Sequence, residues 1–355
     1  MQDTKTLYEN AVELLKKLIA TPSFSQEEEQ TFNILCNFFK QNEVQFHTKG
    51  YNIWAYNQYF DDKKPTILLN SHHDTVRPNK SYTRDPFAPD EEGGKLFGLG
   101  SNDAGGCLVS LIATFLHFYA QENLKYNIVI AATAEEENSG KGGLESIIFD
   151  LGNLEFAIVG EPTLMDLAIA EKGLLVLDCI VKGKSGHAAR NEGENAIYKA
   201  FKDIEWFQNY HFTKVSDTLG PIKMTVTIVN AGTLHNMVPD TCTFTVDVRV
   251  TDAYNNEDIL KIISQFVSCE VVPRSVRLKP SSIPIIHPIV QAGVALGKKT
   301  YGSPTTSDQA LLNIPSLKCG PGDSARSHTA DEFIYLKEIE DGIEGYIKMI
   351  GKVVS

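Results

Sequence analysis

Three short, continuously apolar runs, at 66–70, 127–133 and 156–159, constrain the fold most, because a strand without polar alternation must be covered on both faces. A helical stretch around 108–119 separates the first run from the second. Strands and helices therefore alternate, which predicts an α/β domain with a largely parallel, mixed sheet sandwiched by helices. Ahead of these runs, Leu7, Ala11, Leu14, Leu15 and Leu18 recur at helical spacing. A second helix is expected through Phe32, Leu35 and Phe39, opened by Ser25 and Glu28 as a capping box.

Polar alternation begins only after Lys172. Residues 174–181, 223–229 and 243–250 alternate apolar with polar, as strands with one solvated face do, and 196–210 and 258–267 read as helices. Residues 173–285 are thus expected to form an inserted α+β domain, a small antiparallel sheet backed by two helices. Residues 1–172 and 286–355 would make up the domain that it interrupts.

The 355 residues include 33 basic and 45 acidic side chains, a net charge of −12, which disfavours a sequence-independent grip on nucleic-acid phosphates. No apolar run approaches the roughly 20 residues of a membrane span, and the polar N-terminus lacks the apolar centre of a secretory peptide. A cytoplasmic protein is expected. Cys36, Cys107, Cys179, Cys242, Cys269 and Cys319 are widely spread with no CxxC pair, so free and mostly buried thiols are expected.

Chemistry gathers where the expected strands end. His72 and Asp74 follow the first apolar run, Glu135, Glu136 and Glu137 follow the second, and Glu161 follows the third. Asp103 lies in a glycine-rich turn before a helix. In an open parallel sheet the carboxyl ends of the strands form the ligand crevice. So many charges converging there need a cation to hold them. Imidazole and carboxylate without thiolate suit zinc, cobalt or manganese. In an extended segment residues two apart share a face, so His72 would bind metal while Asp74 takes its other ring N–H, and His73 would face away. At least one carboxylate of 135–137 must enter the crevice. The loop 320–328 ends in His328, the second histidine that a two-metal site needs.

Quoted as they stand, SHHDTV at 71–76, GLGSNDAGG at 98–106, TAEEE at 133–137, GEP at 160–162 and the terminal His328 resemble the acetylornithine deacetylase / succinyl-diaminopimelate desuccinylase / carboxypeptidase G family of co-catalytic zinc amidohydrolases. The resemblance spans essentially the whole chain. It implies a metallopeptidase-like catalytic domain with an inserted lid and dimerisation domain, and two divalent ions per chain. His72, Asp103 and Glu161 would hold one ion and Asp103, Glu137 and His328 the other. Asp74 would orient His72, and Glu136 would be the general base, unless a one-residue slip makes Glu135 the base and Glu136 the ligand.

In the inserted domain, His187 resembles the family's lid histidine, which stabilises the oxyanion in the partner subunit of a homodimer. Asn236 and Arg249 resemble its substrate-anchoring positions, Arg249 as a two-pronged clamp on a carboxylate. The resemblance implies removal of the acyl group from an N-acylated amino acid, N2-acetylornithine in arginine biosynthesis being the leading substrate. N-acetylcitrulline, N-succinyl amino acids, N-acetyl-lysine and dipeptides are the alternatives. A catalytically silent binding protein and a metal-dependent phosphoesterase are the rivals from other classes.

Overall fold

The computed structural model describes residues 3–355; Met1 and Gln2, the start of the polar N-terminus, lie outside the described residues. The described residues divide into two compact units, one of 3–169, 282–301 and 307–355 and the other of 170–281 and 302–306. The return to the first unit thus comes at 282 and not at 286. The five residues 302–306, expected in the first unit, belong to the second, where Thr306 Oγ1 donates to the Lys172 carbonyl and accepts from Arg249. So short an excursion carries no periodicity of its own.

In the first unit the strands Asn127–Thr133, Thr66–His72, Leu154–Val159 and Ser316–Lys318 lie side by side in that order, each pair parallel. Asn52–Tyr56 adds an antiparallel strand beside Asn127–Thr133. Neighbouring residues in each strand serve different cores. Ile67 and Leu69, Ile128 and Ile130, and Phe156 and Ile158 pack into one apolar cluster with the helices Thr4–Ile19, Gly106–Tyr119 and Leu336–Val354. Leu68, Val129, Ala157 and Val159 join a second cluster with Leu144 and Ile147 of a short helix. The absence of polar alternation follows from that double coverage. Each such Val, Leu, Ile or Phe side chain contributes about 1.5–3 kcal/mol of burial free energy.

The second unit is built on one core. Gly173–Lys182, Lys223–Ala231, Thr241–Val250 and a fourth strand not expected from the sequence, Glu270–Pro273, form an antiparallel sheet. Its inward residues, among them Leu175, Leu177, Phe244 and Val246, pack with Ala200 and Phe207 of the helix Ala196–Asn209 and with Ile259 and Ile263 of Asn256–Phe266. Lys223–Ala231 is an edge, and its Ile228 and Val229 are 49% and 53% exposed. All six cysteines are free. No described helix is long and apolar enough to cross a membrane.

Candidate metal centre

Parallel register aligns the strand ends that carry the chemistry. His72 is the last residue of its strand and stands opposite Thr133, two residues before Glu135. Glu161 follows Leu154–Val159 on the other side, where the Ser71 hydroxyl donates to the Gly160 carbonyl at 2.8 Å. Asp103 comes from the turn before Gly106–Tyr119, where Gly100 takes φ +76°, a conformation that a side chain would strain.

The side chains converge. His72 Nε2 lies 3.4 Å from Asp103 Oδ1, 3.6 Å from Glu161 Oε1 and 4.0 Å from Glu136 Oε2. His328 Nε2 lies 3.0 Å from Glu137 Oε2 and 3.6 Å from Asp103 Oδ2. Asp103 therefore turns one oxygen to each imidazole. Donor atoms of His72, Asp103 and Glu137 lie within 4.8 Å of one another, as do those of His72, Glu136 and Glu161.

A divalent cation fits this donor set. His72 is 1% exposed, and its Nε2 finds no hydrogen-bond partner among the described residues although carboxylates surround it. The donors are imidazole nitrogen and carboxylate oxygen only, a set suited to borderline metals. The titration behaviour of the cluster points the same way. Burial, and then the charge of Asp103, push Glu161 up to about 8. Burial and the charges of Glu161, Asp308 and Glu137 hold Glu136 well above the usual carboxylate range, against the pull of His72. The bond to Glu137 lifts His328 to about 9 despite partial burial. Burial also disfavours the charged form of His72, but Asp103 and Asp74 outweigh it and raise the imidazole well above its ordinary value.

Glu161 and His328 keep protons near neutral pH that a cation must displace. Zinc uptake at pH 7 should therefore release protons, and apparent affinity should rise with pH until about 9. Calorimetry in buffers of different ionisation enthalpy measures the release, and uptake without protons would contradict the raised values.

Asp74 faces His72 with both its backbone and its side chain. His72 Nδ1 contacts the Asp74 backbone carbonyl at 2.9 Å, while the carboxylate is 3.5 Å away. That carboxylate accepts the N–H groups of Glu136 and Glu137 at 3.1 and 3.2 Å and the Ser25 hydroxyl at 2.6 Å. Glu28 Oε1 accepts the N–H of Glu135 at 3.1 Å. Two buried carboxylates thus cradle three successive amides. Ser25 and Glu28 make no capping box: the helix Glu29–Gln41 has no side-chain cap at its start. Glu135, at φ +54°, turns its own carboxylate back onto the Gly142 N–H at 3.1 Å. His73 faces away, its ring contacting Thr31 Oγ1 at 3.0 Å and the Tyr51 carbonyl at 2.9 Å. Sequence reading also missed Asp308, buried behind the strand ends, whose Oδ2 accepts from Asn70 at 2.8 Å and Thr133 at 2.9 Å.

In the second unit, His187 and Asn236 are brought together by a two-stranded antiparallel ladder: His187 pairs with Met237, and the Ala188 N–H donates to the Asn236 carbonyl at 3.0 Å. Both residues are exposed. The His187 Nδ1 accepts the Ala189 N–H at 3.1 Å, which leaves Nε2 to carry the proton. Arg249 is not an unpaired clamp. Its Nε and one terminal nitrogen hold both oxygens of Asp247 at 2.9 and 3.0 Å, and the other terminal nitrogen reaches Thr306 at 3.2 Å.

Comparison with known proteins gives consistent matches. An acetylornithine deacetylase of Proteus mirabilis (strain HI4320) is 28% identical over 365 aligned positions, covering 93% of each chain. A succinyl-diaminopimelate desuccinylase of Wolbachia pipientis wMel is 27% identical over 281 positions, 72% of this chain and 69% of that one. The crystal structure of an M20 family metallo-carboxypeptidase, Sso-CP2 from Sulfolobus solfataricus, superposes with a TM-score of 0.77 over 99% of each chain at 17% identity. The sequence profile of one family matches residues 68–352, a span that takes in His72, Asp103, Glu136, Glu137, Glu161 and His328. The chain belongs to Peptidase family M20/M25/M40.

Proposed function

We propose that the chain removes the acyl group of an N-acylated amino acid, with N2-acetylornithine as substrate and ornithine and acetate as products. Membership of the family makes it an enzyme acting on amide bonds. The observation that carries the reading is Asp103, whose two oxygens face two different imidazoles at 3.4 and 3.6 Å, as a bridging ligand requires. His72, Asp103 and Glu161 would hold one divalent ion and Asp103, Glu137 and His328 the other, zinc being the leading candidate and cobalt or manganese the alternatives. When bound, the pair supplies Lewis acidity to the acyl group and acidifies water.

Glu136 then takes a proton from water as the oxygen bonds to the acyl carbon, and delivers it to the amide nitrogen as the C–N bond breaks. Burial raises its proton affinity towards that of a base working near neutral pH. In this reading the Nε2–H of His187 donates to the oxyanion in the partner of a homodimer. The exposed edge strand Lys223–Ala231 supports such a dimer, because an open edge can pair with its copy. Asn236 would contact the substrate, and the N–H groups of Arg249 left free by Asp247 and Thr306 would take its α-carboxylate.

The likeness to a desuccinylase favours a second reading, in which the acyl group is succinyl. A panel of acetyl and succinyl derivatives of ornithine, citrulline, lysine and diaminopimelate, followed by amine release, tests both. Acetylornithine should give the highest kcat/KM, and a succinyl derivative that is faster than every acetyl one would sink the substrate assignment while leaving the chemistry intact. Since Arg249 already has a partner in Asp247, loss of the α-carboxylate should cost less than an orphaned charge would, though Arg249→Ala should still erase the difference.

A further inference from the structure

Four backbone N–H groups of the segment that carries Asp103 end on one residue. Gly100 donates to Glu332 Oε2 at 3.2 Å, Asn102 and Asp103 both donate to Oε1 at 2.9 Å, and Gly98 donates to the Glu332 carbonyl at 2.9 Å. Glu332 is 2% exposed and immediately precedes Phe333–Tyr335, which pairs antiparallel with Lys95–Phe97. At Gly100, with φ +76°, the backbone leaves extended geometry and cannot continue that ladder. The carboxylate takes over where the strand pairing stops.

The same carboxylate ties together two parts of the candidate metal centre. His328 lies four residues before Glu332, on the segment that Asn102 clasps at its other end, donating to the Asp323 carbonyl at 3.1 Å and accepting the Asp323 N–H at 3.0 Å. Asp331, next to Glu332, accepts from the backbone N–H groups of Thr83 and Arg84 at 2.9 Å, so the segment has an anchor of its own. A buried acid is costly unless its oxygens are satisfied, and here three amides of the Asp103 turn satisfy them. A side chain without acceptors would leave those amides orphaned and free the turn to relax.

We propose that Glu332 is a positioning residue for Asp103: it holds the turn so that one Asp103 oxygen faces His72 and the other faces His328. The inference rests on the two-cation reading above. What matters in it is reach, so two mild variants separate it from charge and from filling of the core. Glu332→Gln keeps the length and an acceptor oxygen for Asn102 and Asp103; Glu332→Asp keeps the charge but is one methylene short.

The test is calorimetric titration of the metal-free proteins with zinc, alongside their thermal melting and the visible spectra of their cobalt forms. Glu332→Asp should bind zinc about 10- to 100-fold more weakly than the parent, while Glu332→Gln should recover most of the affinity and keep the parent's cobalt spectrum. Glu332→Asp binding zinc as tightly as Glu332→Gln or tighter overturns the proposal, whatever the melting temperatures. Should Glu332→Asp fail to fold, Glu332→Gln decides alone: a loss beyond about 10-fold overturns the proposal and a smaller one supports it. Failure of the two-cation reading would show in the parent itself, as fewer than two zinc ions bound.

Discussion

Glu136→Gln should retain two metal ions and lose turnover by about 100- to 10,000-fold, the worth of a positioned proton shuttle. The amide keeps the size of the side chain, and the Glu136 backbone N–H remains on Asp74 at 3.1 Å, so the turn has no reason to move. Glu137→Gln should instead weaken the ion beside His328, whose ring lies 3.0 Å from the Glu137 carboxylate. Metal analysis and acetylornithine hydrolysis on the same samples distinguish the two. If Glu135→Gln gives the pure turnover loss and Glu136→Gln loses metal, the assignment must slip by one residue. The proton-shuttle variant also tests the dimer: mixed with His187→Ala, it should regain partial activity, because some mixed dimers contain one complete site. Mixed dimers that form and stay inactive would remove His187 from the partner's site.

Asp103→Ala should lose both ions together. Its two oxygens face His72 and His328, so in the proposed ligand sets it is the one residue shared by both ions. Removing a partner that merely orients a ligand costs about 10- to 100-fold in affinity, and removal of the shared ligand should exceed that at each site. Glu161→Ala, by contrast, should leave the ion beside His328 in place. Elemental analysis after gel filtration reads the stoichiometry, and one ion persisting in Asp103→Ala would refute a shared ligand.

Sequence reading reached the crevice because a rule about parallel sheets applies to it: His72, the 135–137 turn and Glu161 all follow runs buried on both faces, and the structure sets those strands side by side. The supports behind the crevice were harder to see. Ser25 and Glu28 have the spacing of a helix cap, and the same pair of side chains binds Asp74 and the Glu135 amide, contacts 49 and 107 residues away in sequence. Local pattern cannot separate those outcomes. Glu332 is less legible still, since it acts through backbone amides that no residue identity announces. Its one signal is an acid placed directly before the apolar pair Phe333 and Ile334. Asp247 two residues before Arg249 was visible, but only the strand geometry shows that it claims the guanidinium fork.

The bond between Glu332 and Asp103 spans 229 residues, and that between His328 and Glu137 spans 191. As the chain leaves the ribosome, His72, Asp103, Glu136, Glu137 and Glu161 emerge early, followed by residues 170–281 of the second unit. Contacts of such long separation close slowly, because loop entropy must be overcome before they form. A nascent chain therefore carries most of the site's acids for much of its synthesis without the last histidine or the acceptor that sets the Asp103 turn. On the two-cation reading, the full donor set exists only once residues 328–332 have joined the strands and helices that precede them in the sequence.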